Sequence, residues 1–167
     1  ADADEARCFK RRRQVKTKPK DEIVSLLRAR NPLLWIQTQE EQRAERVVLE
    51  AAAAAQFEVR LWDCVKGFTD PLGVQLNARA ADPSQAMQQI ESDETRCVYV
   101  MRDLHRWLAS PVTLRQLRSL ARALQQTPKA KARAIILLTP QADIPPELSG
   151  TATAIEFPLP DRAEIAE

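Results

Sequence analysis

Side chains that could take part in chemistry follow one apolar run of the sequence, Cys97–Met101. Asp103 comes just after this run, and His105 and Trp107 follow within four residues. An acid at the end of a buried strand is placed to help hold Mg²⁺ beside nucleotide phosphates, as in phosphoryl-transfer sites. The alternative interpretation is that Asp103 caps the short turn Leu104–Leu108 by accepting backbone N–H hydrogen bonds, with Trp107 anchoring the turn. Both interpretations place this segment at the carboxyl edge of a sheet, where open α/β folds form ligand crevices.

The phosphate cradle that such an acid would serve is missing from the sequence. A phosphate-binding loop needs glycines, whose backbone approaches the phosphates, and a lysine. The turn after the first apolar strand, Gln37–Glu41, has neither, and it places Glu40 and Glu41 at the start of a helix. The whole chain has three glycines: Gly67, Gly73 and Gly150. Their spacing excludes both G-x-x-x-x-G-K and G-x-G-x-x-G, so Asp103 is interpreted as a degenerate Walker-B-like acid.

Other catalytic or metal-binding patterns are also missing. The chain has one histidine, His105, and no serine or cysteine in a recognisable nucleophile motif to complete a triad with Asp103. Three widely spaced cysteines, with no C-x-x-C pair, indicate neither a zinc site nor a disulfide framework and favour a reducing compartment. We therefore predict a cytoplasmic chain with no catalytic, cofactor or metal site, in which Asp103, His105 and Trp107 serve structure or docking.

Two groups of basic residues are candidate contacts for nucleic acid or for an acidic partner. Residues 1–20 contain eight Lys or Arg residues against three acids, whereas the whole chain has a net charge of only +2. The candidate contacts are Arg11, Arg12 and Arg13 in this segment and Arg115, Arg118 and Arg122 at helical spacing. The alternative is that the first group belongs to a disordered, solvated leader. The second group would then be the solvated side of an amphipathic helix.

The elements that position these residues alternate between strands and helices. Apolar runs predict strands near 33–37, 58–63, 97–102, 134–139 and 153–157. Helices are predicted over 21–30, over 38–56 with Thr38 and Glu41 as a capping box, and from 82 and 110 onward, with a loop around Gly67 and Gly73. This alternation predicts a three-layer αβα sandwich with a mainly parallel sheet, which resembles the P-loop NTPase layout without its P-loop. We assign residues 1–20 to the leader and 21–167 to one α/β domain. No apolar stretch of the sequence approaches the roughly 20 residues that a membrane-spanning helix needs.

Several segments of the sequence also resemble one group of proteins. They are Leu26–Ile36, Thr38–Glu41, Asp103–Leu108, Thr139–Pro140, Ile144–Leu148 and Glu156–Arg162. Together they are similar to the N-terminal, degenerate ATPase-like domain of a bacterial and plastid group of AAA+ ATPases, over roughly residues 21–165.

This resemblance implies that the true Walker motifs, with ATP and Mg²⁺, belong to a catalytic AAA+ module outside this chain, in a ring oligomer. The implied partners are that module of the same protein and a protein substrate or adaptor. We therefore expect a non-catalytic interaction and regulatory domain, not an enzyme by itself. The alternative is a nucleic-acid-binding module that uses the leader and the arginine stripe, and no membrane partner is expected.

Overall fold

A computed structural model describes residues 17–140, 143–160 and 165 of the chain. Its helices are α1 (Pro19–Arg28), α2 (Glu41–Ala54), α3 (Pro83–Ser92) and α4 (Pro111–Gln125). Its strands are β1 (Leu33–Gln37), β2 (Glu58–Asp63), β3 (Gly67–Thr69), β4 (Gln75–Asn77), β5 (Cys97–Arg102), β6 (Arg133–Thr139) and β7 (Thr153–Ile155). Short 3₁₀ turns include Leu104–Trp107 after β5 and Pro146–Leu148 before β7.

The seven strands form one sheet in the order β4-β3-β2-β5-β6-β1-β7. The pairs β2–β5, β5–β6, β6–β1 and β1–β7 are parallel, and only the β2–β3 and β3–β4 pairs are antiparallel. The prediction of a mainly parallel α/β sheet is thus confirmed. In register, Gln37 lies beside Thr139 and Arg102 beside Leu138, so the ends of β1, β5 and β6 meet at one carboxyl edge.

Two apolar cores cover the two faces of this sheet. On β5, Val98 and Val100 belong to the core under α1 and α2, whereas Tyr99 and Met101 belong to the core under α3 and α4. All four side chains are fully buried. Burying each large apolar side chain stabilises the fold by about 1.5–3 kcal/mol. Because helices cover both faces of the sheet, the central strands are apolar on both faces. The predicted three-layer arrangement is confirmed.

Two helices begin at caps that the sequence indicates. The Asp82 carboxylate accepts a hydrogen bond from the Gln85 backbone N–H at 3.0 Å at the start of α3. The Ser110 hydroxyl accepts one from the Thr113 N–H at 3.5 Å at the start of α4. A proline follows each cap at the first helical position, where no N–H is needed. Within the described residues, no helix is both long and apolar enough to cross a membrane.

The predicted capping box at Thr38 is wrong. Helix α2 starts at Glu41, and its N-cap residue Glu40 makes no side-chain cap hydrogen bond. Thr38 instead continues the parallel ladder, since its backbone N–H donates to the Thr139 carbonyl at 2.8 Å. Its hydroxyl accepts a hydrogen bond from the Glu40 N–H at 3.1 Å, which forms a local turn before the helix. Thr38 is still part of the sheet edge and therefore lies too early in the chain to cap α2.

The segment predicted as a loop around Gly67 and Gly73 contains the antiparallel hairpin β3–β4. Each of its strands has only three residues, which is too short for an alternating pattern to show in the sequence. The hairpin turn is held by the Asp70 carboxylate, which accepts hydrogen bonds from the N–H groups of Leu72 and Val74, both at 2.9 Å. Smaller differences are that α1 covers 19–28 instead of 21–30, and that β7 ends at 155 instead of 157.

Candidate functional site

Arg102 is the centre of an ion-pair network at the carboxyl edge of the sheet. It follows Val98 and Val100 on the face of β5 that is covered by α2. Its Nε lies 2.5 Å from a Glu45 carboxylate oxygen and 3.9 Å from one of Glu41, both in the first turns of α2. Its Nη1 lies 3.5 Å from an Asp63 oxygen at the end of β2. One guanidinium therefore joins two strand ends to the start of α2, and we call these four residues the Arg102 network.

Electrostatics favour the charged form of Arg102 and disfavour the charged form of Glu41. Burial acts to lower the pKa of Arg102, but the hydrogen bond to Glu45 and the nearby carboxylates outweigh it and raise that pKa overall. Burial raises the pKa of the Glu41 carboxyl, and repulsion from Glu45 raises it further, whereas Arg102 partly compensates. Three carboxylates thus share one guanidinium, and Glu41 is the one whose charged form is disfavoured by burial and by Glu45.

This network occupies the corner between α2 and β5, where an anion would bind in a phosphate-binding fold. A helix N-terminus attracts anions because its free N–H groups carry partial positive charge. Here Glu40 and Glu41 already lie at that positive end, and Glu40 is in turn paired with Arg43 at 2.6 Å. The residues present do not fit ATP–Mg²⁺, since the phosphates would meet carboxylates and the ion would meet a guanidinium. Within the described ranges, no group of three or more His, Cys, Asp or Glu side chains is arranged to hold a metal.

Asp103 does not cap the turn that follows it, so that prediction is wrong. The residue has a left-handed backbone conformation with φ of 57°, and its side chain makes no cap hydrogen bond. Its backbone makes the hydrogen bonds of the turn instead. The Asp103 N–H donates to the Leu138 carbonyl, and the Asp103 carbonyl accepts from the Arg106 N–H, both at 3.1 Å. Aspartate tolerates this conformation better than most residues. The carboxylate is left exposed at the sheet edge.

His105 and Trp107 lie in the 3₁₀ turn beyond Asp103 and are both half-buried. The Trp107 ring packs edge-to-face on Trp62, with ring centroids 6.0 Å apart and an angle of 75° between the planes. Trp107 thus packs against the apolar core, and its role as an anchor of the turn stays a prediction. Nδ1 of His105 is buried and has no hydrogen-bond partner among the described residues.

Two residues of this edge, Arg102 and Thr139, were not among the predicted site residues. Thr139 ends β6, is 1% exposed, and its hydroxyl oxygen has no hydrogen-bond partner within the part of the chain that the structure describes. The available signal was a polar residue directly after an apolar run, since Arg102 follows Cys97–Met101 and Thr139 follows Ala134–Leu138. Pairing Arg102 with Glu45 requires knowing that α2 returns over β5, which the sequence pattern does not specify.

The predicted arginine stripe lies on a different part of the domain. Arg115, Arg118 and Arg122 are all exposed on α4. They line one groove of about 600 Å³, together with residues of the loop at Gly150 and Thr151. The structure thus brings the three side chains to one concave surface. Arg11, Arg12 and Arg13 lie outside the described residues.

Comparisons with known proteins match most of this chain. The family described as SpoVK-like AAA ATPase, N-terminal domain, matches residues 19–157. The "Uncharacterized AAA domain-containing protein ycf46" of Trieres chinensis is 32% identical over 150 residues, covering 88% of this chain and 29% of that protein. The protein of the same name from Guillardia theta is 32% identical over 144 residues, covering 84% of this chain and 27% of that protein. This chain thus spans less than a third of the length of these curated relatives.

Among solved structures, a chain in "Structure of Drosophila ORC bound to AT-rich DNA and Cdc6" matches with a TM-score of 0.45 and 14% identity. The match covers 81% of this chain and 54% of that one. A likeness of this size carries no argument about function. The family match covers the strands β1–β7, the helices α1–α4 and the Arg102 network, and the chain belongs to the family of N-terminal domains of SpoVK-like AAA ATPases.

Proposed function

We propose that this chain is a non-catalytic interaction and regulatory domain of an AAA+ ATPase, whose catalytic module is another domain of the same protein. The observation that carries the proposal is the Arg102 network. It places an internal cation, paired with Glu45 and Asp63, where a nucleotide would need space for phosphates and a metal ion. ATP and Mg²⁺ are assigned to the catalytic module, which fits the family of this chain.

The free energy of opening this corner supports a non-catalytic role. A nucleotide would have to separate Arg102 from Glu45, and hydrogen bonds to charged groups contribute about 1.5–3 kcal/mol each. It would then place phosphates beside Glu40 and Glu41 at a turn with no glycine. Nothing in that turn offers the row of backbone N–H groups that offsets such a cost in a P-loop.

We assign docking of the catalytic module to the carboxyl edge, around Asp103 and Trp107. The exposed Asp103 carboxylate offers a charged contact. The half-buried Trp107 ring is held by Trp62 and presents its outer part as a rigid aromatic surface, the kind of side chain that anchors interfaces. A protein substrate or adaptor would act through the assembled protein.

The cysteines support assignment to the cytoplasm or a similarly reducing compartment. Cys64 is a free, exposed thiol, and Cys97 is free and buried. Burial raises the pKa of the Cys97 thiol to about 12, so it remains protonated and unreactive. Cys97 also lies at the end of β5 opposite Asp103, which separates it from the carboxyl edge.

The experiment that tests the proposal adds this chain to the catalytic AAA+ module supplied as a separate chain, and follows binding by calorimetry and ATP turnover. We expect binding and a change in the module's turnover, with no turnover by this chain alone. Asp103→Asn and Trp107→Ala should weaken binding, whereas Arg79→Gln, an exposed change elsewhere, should not. Turnover by this chain alone, or unaltered binding by both edge variants, would contradict the proposal.

A further inference from the structure

The arginine-lined groove on α4 has no partner among the described residues that explains its charge. Among the described residues, neither an ion pair nor a hydrogen bond joins Arg115, Arg118 or Arg122 to another side chain or carbonyl. Most other arginines of the described chain do make such contacts: Arg28, Arg30, Arg43, Arg60, Arg96, Arg102 and Arg133. The three groove arginines are therefore available to a ligand.

The spacing of these arginines costs the helix stability. Arg115 and Arg118 are three positions apart, and Arg118 and Arg122 are four apart, so all lie on one face of α4. Like charges at these spacings repel and cost about 0.2–0.5 kcal/mol per pair. None of the described residues that line the groove carries a carboxylate to offset this repulsion. A bound external anion would therefore relieve the repulsion between these arginines.

The remaining lining residues indicate which anion fits. Within the described part of the chain, they supply hydroxyl and amide groups from Ser119, Gln125, Gln126 and Thr151, and the other two are Ala123 and Gly150. A peptide partner generally needs a pocket for an apolar or aromatic anchor, and these residues form none. Single-stranded bases need aromatic side chains on which to stack, and no described lining residue is aromatic. Arginine, hydroxyl and amide donors along a helix are the groups that contact the phosphates of a duplex.

From this geometry we propose that the α4 groove binds the phosphate backbone of double-stranded nucleic acid without reading its sequence. Arg115, Arg118 and Arg122 each pair with a phosphate, and Ser119 and Thr151 add neutral hydrogen bonds. This site lies on the α3–α4 face of the sheet, apart from the Arg102 network, and does not depend on the proposed regulatory role.

Fluorescence anisotropy with the full chain and a short labelled DNA duplex tests this proposal across a salt series. Three phosphate contacts predict a slope of about −2.7 in log affinity against log salt, which is roughly a 40-fold loss between about 50 and 200 mM. The variant Arg115→Gln/Arg118→Gln/Arg122→Gln should bind at least about tenfold more weakly at low salt, with a slope smaller in magnitude by about 2–3.

The matched control, Arg46→Gln/Lys66→Gln/Arg79→Gln, removes the same charge from exposed positions outside the groove. It should keep most of the affinity and slope. Thermal melts should show both triple variants folded, because exposed substitutions usually change stability by no more than about 0.5 kcal/mol. Arg11→Gln/Arg12→Gln/Arg13→Gln measures the contribution of the leader separately.

Equal losses in the groove variant and the control would overturn the proposal, as would binding that only the leader variant reduces. A polyglutamate competitor supplies the other test. If it binds the groove more tightly than the duplex, and the groove variant loses that binding, an acidic protein segment is the ligand and the nucleic-acid proposal is wrong.

Discussion

Arg102 at the end of β5 donates a hydrogen bond to Glu45 on α2 over 2.5 Å, and this contact closes the corner between the sheet and the helix. The two residues are 57 positions apart in the chain and are only 22% and 15% exposed. A pair so placed fixes the start of α2 against the sheet edge.

Replacing Arg102 with Met should destabilise the domain by about 1.5–3 kcal/mol, because Glu45 would lose its partner while still partly buried. Glu45→Gln should cost less, since an amide can accept a hydrogen bond from the guanidinium. Urea denaturation of both single variants and the double variant gives the coupling energy. Additive effects, with a coupling energy near zero, would show that the pair does not hold this corner.

Glu41→Gln should stabilise the domain slightly at neutral pH. The folded-state pKa of Glu41 is raised by burial and by Glu45, so folding disfavours its charged form, and the resulting cost appears as pH rises above about 4.5. Glu41 is half-exposed, and its repulsion of Glu45 at i, i+4 is about 0.2–0.5 kcal/mol. Thermal melts should show a small gain at pH 7 that disappears below pH about 4.5. A gain in melting temperature that is confined to acid pH would contradict a raised folded-state pKa for Glu41.

Asp93→Asn should have the opposite pH dependence. The Asp93 carboxylate accepts hydrogen bonds from the buried Tyr99 hydroxyl and from Arg60. Burial acts to raise the pKa of Asp93, but the hydrogen bonds from Tyr99 and Thr95 and the charge of Arg60 outweigh it and lower that pKa. The stabilisation is therefore present above the unfolded-state pKa, near 3.8, and is lost as pH falls through the folded-state value.

We expect Asp93→Asn to cost about 1.5–3 kcal/mol at pH 7, with a difference from the native chain that shrinks in strong acid. Denaturant titrations at several pH values measure this directly. Arg60→Gln is the matched control, because it removes the ion pair and leaves the Tyr99 hydrogen bond. A pH-independent loss in Asp93→Asn would mean that folding does not lower the pKa of this carboxyl.

Several features of the domain were predictable from residues alone. The β5 and β6 runs are apolar on both faces because helices cover both sides, and Asp82 and Ser110 indicated where α3 and α4 begin. The Arg102 network was not predictable, because its members come from β2, α2 and β5 and meet only through the sheet order. The prediction of an Asp103 cap is wrong for a local reason. A positive φ turns the backbone of Asp103 so that the carbonyl of this residue closes the turn.

The hairpin that sequence patterns missed supplies a test of the fold. Gly67 has φ of +71°, and a Cβ there would lie 2.2 Å from the Asn77 carbonyl oxygen. Gly73 has φ of +85°, but a Cβ there would meet nothing within 4 Å. Gly73→Ala should therefore cost only the conformational penalty, about 1–2 kcal/mol. Gly67→Ala should cost clearly more, because backbone must also move; equal melting temperatures of the two variants would contradict the described packing of β3 on β4.

Calorimetric titration of the chain with ATP–Mg²⁺ tests most directly the proposal that its own side chains occupy the corner where a nucleotide would bind. The Arg102 network and the glycine-free turn at Gln37–Glu41 predict a dissociation constant no tighter than about 1 mM, equivalent to roughly −4 kcal/mol. Arg102→Met should not improve it, because Glu40 and Glu41 remain at the helix start. A low-micromolar dissociation constant for the native chain would contradict the account.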